Sequence, residues 1–219
     1  MIFLYIALCI FPLVVMSIVF ALKVDGFRIR HSIICVVLGT LSLVVISLVQ
    51  TVSEPFFKSV LQNRNVLLRT VIFNGGVEEG IKMLFLLLAF LARTRVRRTS
   101  MTPVFATVFS ALVGLTVGCF ESLIYFVAGQ QTIILRLCTS TLIHVFCAIL
   151  SGLFAYRCLV KINGFFRFSL FPFFYAVIIH GIYNFFALRN DNLWYFSLAV
   201  IFLALSQASL WYKKTISCE

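Results

Sequence analysis

Charge is what this sequence has least of. Only 11% of its 219 residues are charged, and Asp and Glu together number seven, whereas ordinary soluble domains carry about 25% charged residues. With 62% of residues hydrophobic, one core of this size could not hide the apolar side chains, because small folded chains still expose much of their surface. A water-soluble globule is excluded, and lipid is the solvent for most of the chain. The sequence also lacks any CxxC pair. Its seven cysteines are scattered, mostly inside apolar runs where Cys behaves as a small hydrophobe. That excludes a zinc knuckle and argues against a disulfide framework. No basic region precedes the first apolar run and no small-x-small cleavage pattern accompanies it, so it reads as a retained span and not as a removable signal peptide.

What is plentiful is long apolar stretches with basic residues between them. About 20 apolar residues cross the hydrocarbon of a bilayer, and candidates lie at 2–22, 33–50, 68–92, 104–127, 132–156, 169–188 and 193–212. Backbone groups in lipid must be satisfied within their own segment, so each span is predicted to be a helix. Basic clusters sit at Lys23, Arg28 and Arg30, at Arg93, Arg95, Arg97 and Arg98, at Arg157, Lys161 and Arg167, and at Lys213 and Lys214. Seven spans put all of them on one side, which the positive-inside rule makes cytoplasmic. The expected fold is all-α: a polytopic seven-helix membrane bundle in the cell membrane, with the N-terminus outside and the C-terminus cytoplasmic. The net charge of +11 is thereby accounted for by topology, without a nucleic-acid partner. No repeat or composition shift divides the chain, so residues 1–219 read as one membrane domain. In the connection 51–67, Ser53-Glu54-Pro55 reads as the start of a short helix in the outer interface, with Phe56, Phe57, Val60 and Leu61 on one side and Lys58, Asn63 and Arg64 elsewhere.

The scarce acids are placed where a membrane tolerates them least. A charged side chain at mid-membrane costs about 2.5–3.5 kcal/mol even on permissive scales, and such residues normally face a bundle interior or wet cavity. Glu78, Glu79 and Glu121 sit in apolar runs, as do His144 and His180. Glu78 and Lys82 are one turn apart on one helical face, and Glu79 lies about 60° from Lys82, so Lys82 can neutralise either carboxylate. Two adjacent glutamates in low dielectric titrate as a unit. Ala111, Gly114 and Gly118 form a small-residue stripe that leads to Glu121 and Tyr125 and permits close helix approach. His144 shares its face with Ser140, Ala148 and Gly152, and His180 pairs with Asn184 at i, i+4. From the 1.5 Å rise per residue, Glu78 lies about 15 Å from the outer boundary, Glu121 about 9 Å, His144 about 18 Å and His180 about 12 Å. The expectation is one polar layer in the outer half to centre of the bilayer.

Carboxylates with imidazoles can activate water by general-base catalysis, while protonated neighbours serve the leaving amine and the oxyanion. The catalytic candidates are Glu78, Glu79, Glu121, His144 and His180, supported by Lys82 and Asn184. The same constellation, taken as Glu79, His144 and His180, is a ligand set for a hydrolytic metal such as zinc. No Ser-His-Asp or Cys-His grouping competes, and Ser140 and Cys147 read as packing residues.

These motifs resemble those of the PrsW family of intramembrane proteases. Glu78-Glu79-Gly80-Ile81-Lys82 fits EExxK, Gly114 to Tyr125 with Glu121 resembles GxGF…E-N-x-x-Y, and His144 and His180 stand in the two later spans, so the match covers about 68–188. Val117 replaces a usual Phe and Ser122 a usual Asn. His180 to Asn184 is also similar to the CAAX-processing and bacteriocin-immunity family, but Lys82 falls one position early for that family's arginine and Glu121 replaces its histidine. The resemblance implies hydrolysis of a peptide bond in a single-pass membrane protein, such as an anti-sigma factor, on its outer side, by a glutamate-dependent or metal-dependent mechanism. The competing class is a proton-coupled transporter with a buried Glu/His relay, followed by a non-catalytic scaffold. The transporter lacks discontinuous helices in matching halves, since Gly75-Gly76 is a break without a counterpart.

Overall fold

The computed structural model describes residues 2–60, 66–96, 101–129, 133–160, 170–187 and 192–217. Among them every regular element is helical: α1 (Ile2–Lys23), α2 (Ile29–Val60), α3 (Val66–Arg69), α4 (Gly76–Leu91), α5 (Pro103–Val127), α6 (Ile133–Val160), α7 (Phe171–Ala187) and α8 (Phe196–Ile216). A π-helical turn, Thr70–Gly75, joins α3 to α4, a second one, Ala92–Val96, extends α4, and a 3₁₀ turn at Asn192–Tyr195 leads into α8. Among the described residues, five helices are long and apolar enough to cross a membrane: α1, α2, α5, α6 and α8. Helix α7 is apolar but only 17 residues long, and α4 carries Glu78, Glu79 and Lys82 in its first half. The chain is an all-helical, multi-pass membrane protein. Large apolar side chains such as Phe3, Phe11, Leu48 and Phe202 stand exposed on its outside, as a lipid-facing surface requires.

Local sequence sets the helix ends. Thr102 caps α5 by accepting the Phe105 amide at 3.1 Å, and Pro103 occupies the first turn, where its missing N–H costs nothing.

One boundary differs from the sequence reading. Ser53-Glu54-Pro55 starts no new helix, because α2 continues unbroken from Ile29 through Pro55 to Val60. Pro55 removes one backbone donor, the partner of the Thr51 carbonyl. The Thr51 and Ser53 hydroxyls turn back onto the Ser47 and Val49 carbonyls of the same helix, so neither serves as a cap. The side chains of Phe57, Lys58, Val60, Leu61, Asn63 and Arg64 lie outside the described residues, as do the basic residues Arg97, Arg98, Lys161 and Arg167.

Helices α5 and α6 pack along much of their length, and α4 lies between α2, α6 and α7. The predicted stripe makes the α5–α6 contact. A Cβ on Gly114 would stand 2.7 Å from the Ala148 Cβ, and one on Gly118 would stand 2.6 Å from the Thr141 Cα. Close approach of the two backbones is what carries Glu121 to His144.

Candidate active site

The π turn ahead of α4 is wedged against α7. A Cβ on Gly75 would overlap the Val177 carbonyl oxygen, and a Cβ on Gly181 would come within 2.8 Å of the Val71 nitrogen. Only glycine allows backbones this close. The contact sets His180, the neighbour of Gly181, beside the two glutamates that follow Gly75 and Gly76.

Glu79 is the hub of the resulting cluster. Its Oε1 accepts from the Lys82 ammonium and from His180 Nδ1, at 2.6 Å for the latter, and its Oε2 accepts from the Ser151 hydroxyl at 3.0 Å. Lys82 also reaches His144 Nδ1 at 3.2 Å. An ammonium can only donate, so that ring nitrogen carries the lone pair and the proton of the neutral ring sits on Nε2. His144 Nε2 accordingly donates to Glu121 Oε2 at 2.5 Å, and the Ser140 hydroxyl donates to the same oxygen at 3.2 Å. Glu78 accepts from Gln50 Nε2 at 3.2 Å, and its other oxygen faces His180 Nε2 at 3.4 Å. The two imidazole rings meet edge to face, their centroids 4.8 Å apart.

Glu79, Lys82, His144 and His180 are fully buried, while the Glu78 side chain retains 10% exposure and that of Glu121 19%. Burying an ion pair costs several kcal/mol per ion, offset only when geometry and further hydrogen bonds are good. Glu79 meets that condition with donors on both oxygens. The structure thus gathers six of the seven residues singled out from sequence, Glu78, Glu79, Lys82, Glu121, His144 and His180, into one connected group. Asn184, on α7 one turn beyond His180, is half-buried and takes no part in these bonds.

Three residues on one face of α6 escaped the sequence reading. Ser140 and Cys147 read there as packing residues and Ser151 was passed over, yet Ser140, His144, Cys147 and Ser151 follow one another at spacings of four, three and four. That is one face of α6, and the face spans the whole cluster from Glu121 to Glu79. This periodicity was a usable signal. Gln50 was passed over too, although it is an amide at the end of the apolar run 33–50.

The arrangement can be compared with known proteins. The sequence model described as PrsW family intramembrane metalloprotease matches residues 28–207. The chain belongs to the PrsW family. No curated protein and no solved structure matches it. Membership in PrsW identifies it as a membrane protease, a hydrolase acting on peptide bonds. One ligand atom each from Glu78, His144 and His180 lies within 4.8 Å of the others. The carboxylate in this group is Glu78; the sequence reading took Glu79 with the two histidines, and Glu79 bonds one of them, His180, at 2.6 Å. His180 Nδ1 donates to Glu79, so its Nε2 faces a Glu78 carboxylate oxygen 3.4 Å away, and a proton on that nitrogen or a cation between the two atoms would join them. The Glu79–His180 bond is also the carboxylate–histidine support that metal-ligating imidazoles almost always have. His144 satisfies the set on one condition, since Lys82 and Glu121 engage both its nitrogens and one must yield to a metal. On donor chemistry the residues fit zinc.

Proposed function

We propose that this PrsW family member hydrolyses a peptide bond of a single-pass membrane protein on its outer side, in the manner of regulated cleavage of an anti-sigma factor, with chemistry centred on Glu78. It does so as one domain of seven spans, N-terminus outside and C-terminus cytoplasmic. The observation that carries the reading is the asymmetry between two adjacent carboxylates. Glu79 is sealed in and saturated by Lys82, His180 and Ser151, whereas Glu78 is held by Gln50 on one oxygen, faces His180 with the other and keeps 10% of its side chain exposed.

Glu78 takes the proton of the attacking water and returns it to the leaving amine, the usual contribution of a positioned general base being about 10²–10⁴-fold. His180, oriented by Glu79, stabilises the charge that develops beside Glu78. His144 holds Glu121 at the most exposed edge of the cluster, where the substrate backbone approaches. A metal held by Glu78, His144 and His180 would supply Lewis-acid polarisation of the scissile carbonyl and a more acidic water, with Glu78 then a ligand.

The test reconstitutes wild type, Glu78→Gln and Glu79→Gln in liposomes with a single-pass substrate and reads the products by mass spectrometry. Wild type cleaves, and Glu78→Gln falls by about 10²-fold or more. Undiminished cleavage by a folded Glu78→Gln rejects the assignment, and proton flux without cleavage would move the chain to the transporter class. Chelator sensitivity of the wild-type reaction separates the metal-dependent mechanism from the glutamate-only one.

A further inference from the structure

Cys147 takes no part in the chemistry above, yet it stands in the middle of the α6 face that supplies Ser140, His144 and Ser151. One ligand atom each from Glu79, Cys147 and His180 lies within 4.8 Å of the others. The three come from α4, α6 and α7, and all are buried. We propose that Glu79, Cys147 and His180 form a second metal site, sharing His180 with the first and selective for thiophilic cations such as Cd²⁺.

The selectivity follows from the donors. Glu78, His144 and His180 offer oxygen and nitrogen only, while the second set adds sulfur, and thiolate favours softer ions. On binding, the Cys147 S–H proton leaves to solvent, the sulfur forms the bond to the metal, and no electron is transferred. The ligands then carry two negative charges, which offset the dication beside the Lys82 ammonium. Lys82 gives up Glu79 and keeps His144, three bonds of donor capacity being enough for that change. The first set takes His180 at Nε2 and the second at Nδ1, and a neutral imidazole has a lone pair on only one of its two nitrogens, so only one set can be filled at a time. An ion in the thiol-bearing site breaks the Glu79–His180 bond that orients the imidazole beside Glu78, so a thiophilic metal switches the proposed hydrolysis off. The ligand set goes beyond the protease reading, and only this last consequence rests on it.

The test uses the full chain with the other six cysteines replaced by serine, so that any thiolate signal belongs to Cys147. Titration with Co²⁺ is expected to give a thiolate-to-cobalt charge-transfer band in the near ultraviolet. The band is expected to vanish in Cys147→Ser and His180→Ala and to persist in Glu78→Gln, which damages only the first set. Absence of the band in the folded chain, its persistence in His180→Ala, or its loss in Glu78→Gln overturns the proposal. Circular dichroism establishes folding in each case. In parallel, Cd²⁺ is expected to slow cleavage by wild type at least tenfold and to leave Cys147→Ser near its own uninhibited rate. Equal inhibition of both overturns the switch. A chain that shows the band but never cleaves a substrate keeps the metal site and removes the protease reading.

Discussion

Gly75 and Val177 meet backbone to backbone: a Cβ on Gly75 would overlap the Val177 carbonyl oxygen and stand 3.0 Å from the Gly181 nitrogen. Neither obstacle is a movable side chain, so Gly75→Ala must push the π turn off α7. The expected cost is that of overpacking, about 1–3 kcal/mol, with loss of cleavage because Glu79 and His180 separate. Gly80→Ala is the control. A Cβ there meets nothing within 4 Å, and the better helix propensity of Ala is worth up to about 1 kcal/mol. Thermal unfolding of the two variants should move in opposite directions.

Lys82 compensates the buried charge of Glu79. Lys82→Met leaves that carboxylate uncompensated, and breaking a buried pair from one side typically costs about 3–5 kcal/mol. The double variant Lys82→Met/Glu79→Gln should recover much of the loss, because the stranded charge is gone. A denaturation double-mutant cycle measures this, and additive losses would show that the pair does not act as a unit.

Gln50 acts through Glu78. Replacing it with Leu removes the 3.2 Å bond to Oε1 and frees the carboxylate to rotate. Turnover should fall about tenfold, equivalent to about 1.4 kcal/mol in the barrier, with KM and the unfolding temperature unchanged. A rise in KM alone would place Gln50 in substrate binding.

Ser151→Ala and Ser140→Ala each remove one hydroxyl donor to a carboxylate, but in different surroundings. Glu79 is sealed, so losing the 3.0 Å bond from Ser151 should cost about 1.5–3 kcal/mol, the range for hydrogen bonds to charged groups. Water can replace Ser140 at the more exposed Glu121, so that variant should cost less. Equal destabilisation in chemical unfolding would contradict the difference in burial.

Much of this cluster could be read before any coordinates, for a physical reason. An ionisable group in lipid is expensive wherever it stands, so Glu78, Glu79, Glu121, His144 and His180 announced themselves one by one, and the small-residue stripe on α5 announced the neighbour they needed. Gln50, Ser140, Cys147 and Ser151 carry no such penalty and pass for ordinary residues of an apolar helix. Nor could the sequence decide whether Glu78 or Glu79 stands with both histidines. They differ by 100° about one axis, and only the rotation of α4 against α6 and α7 turns that angle into partners.

The continuation of α2 through Pro55 belongs to the same kind of gap. Ser-Glu-Pro is a sound local signal for a helix start, but a proline deletes one hydrogen bond and does not dictate that the chain turn. By itself the sequence determined that this chain is helical, lives in lipid and keeps its few acids for a purpose, since solvation cost and backbone satisfaction act residue by residue. Only the tertiary structure decided which carboxylate is fully sealed and which keeps some exposure, because that depends on how closely glycine lets one backbone lie on another.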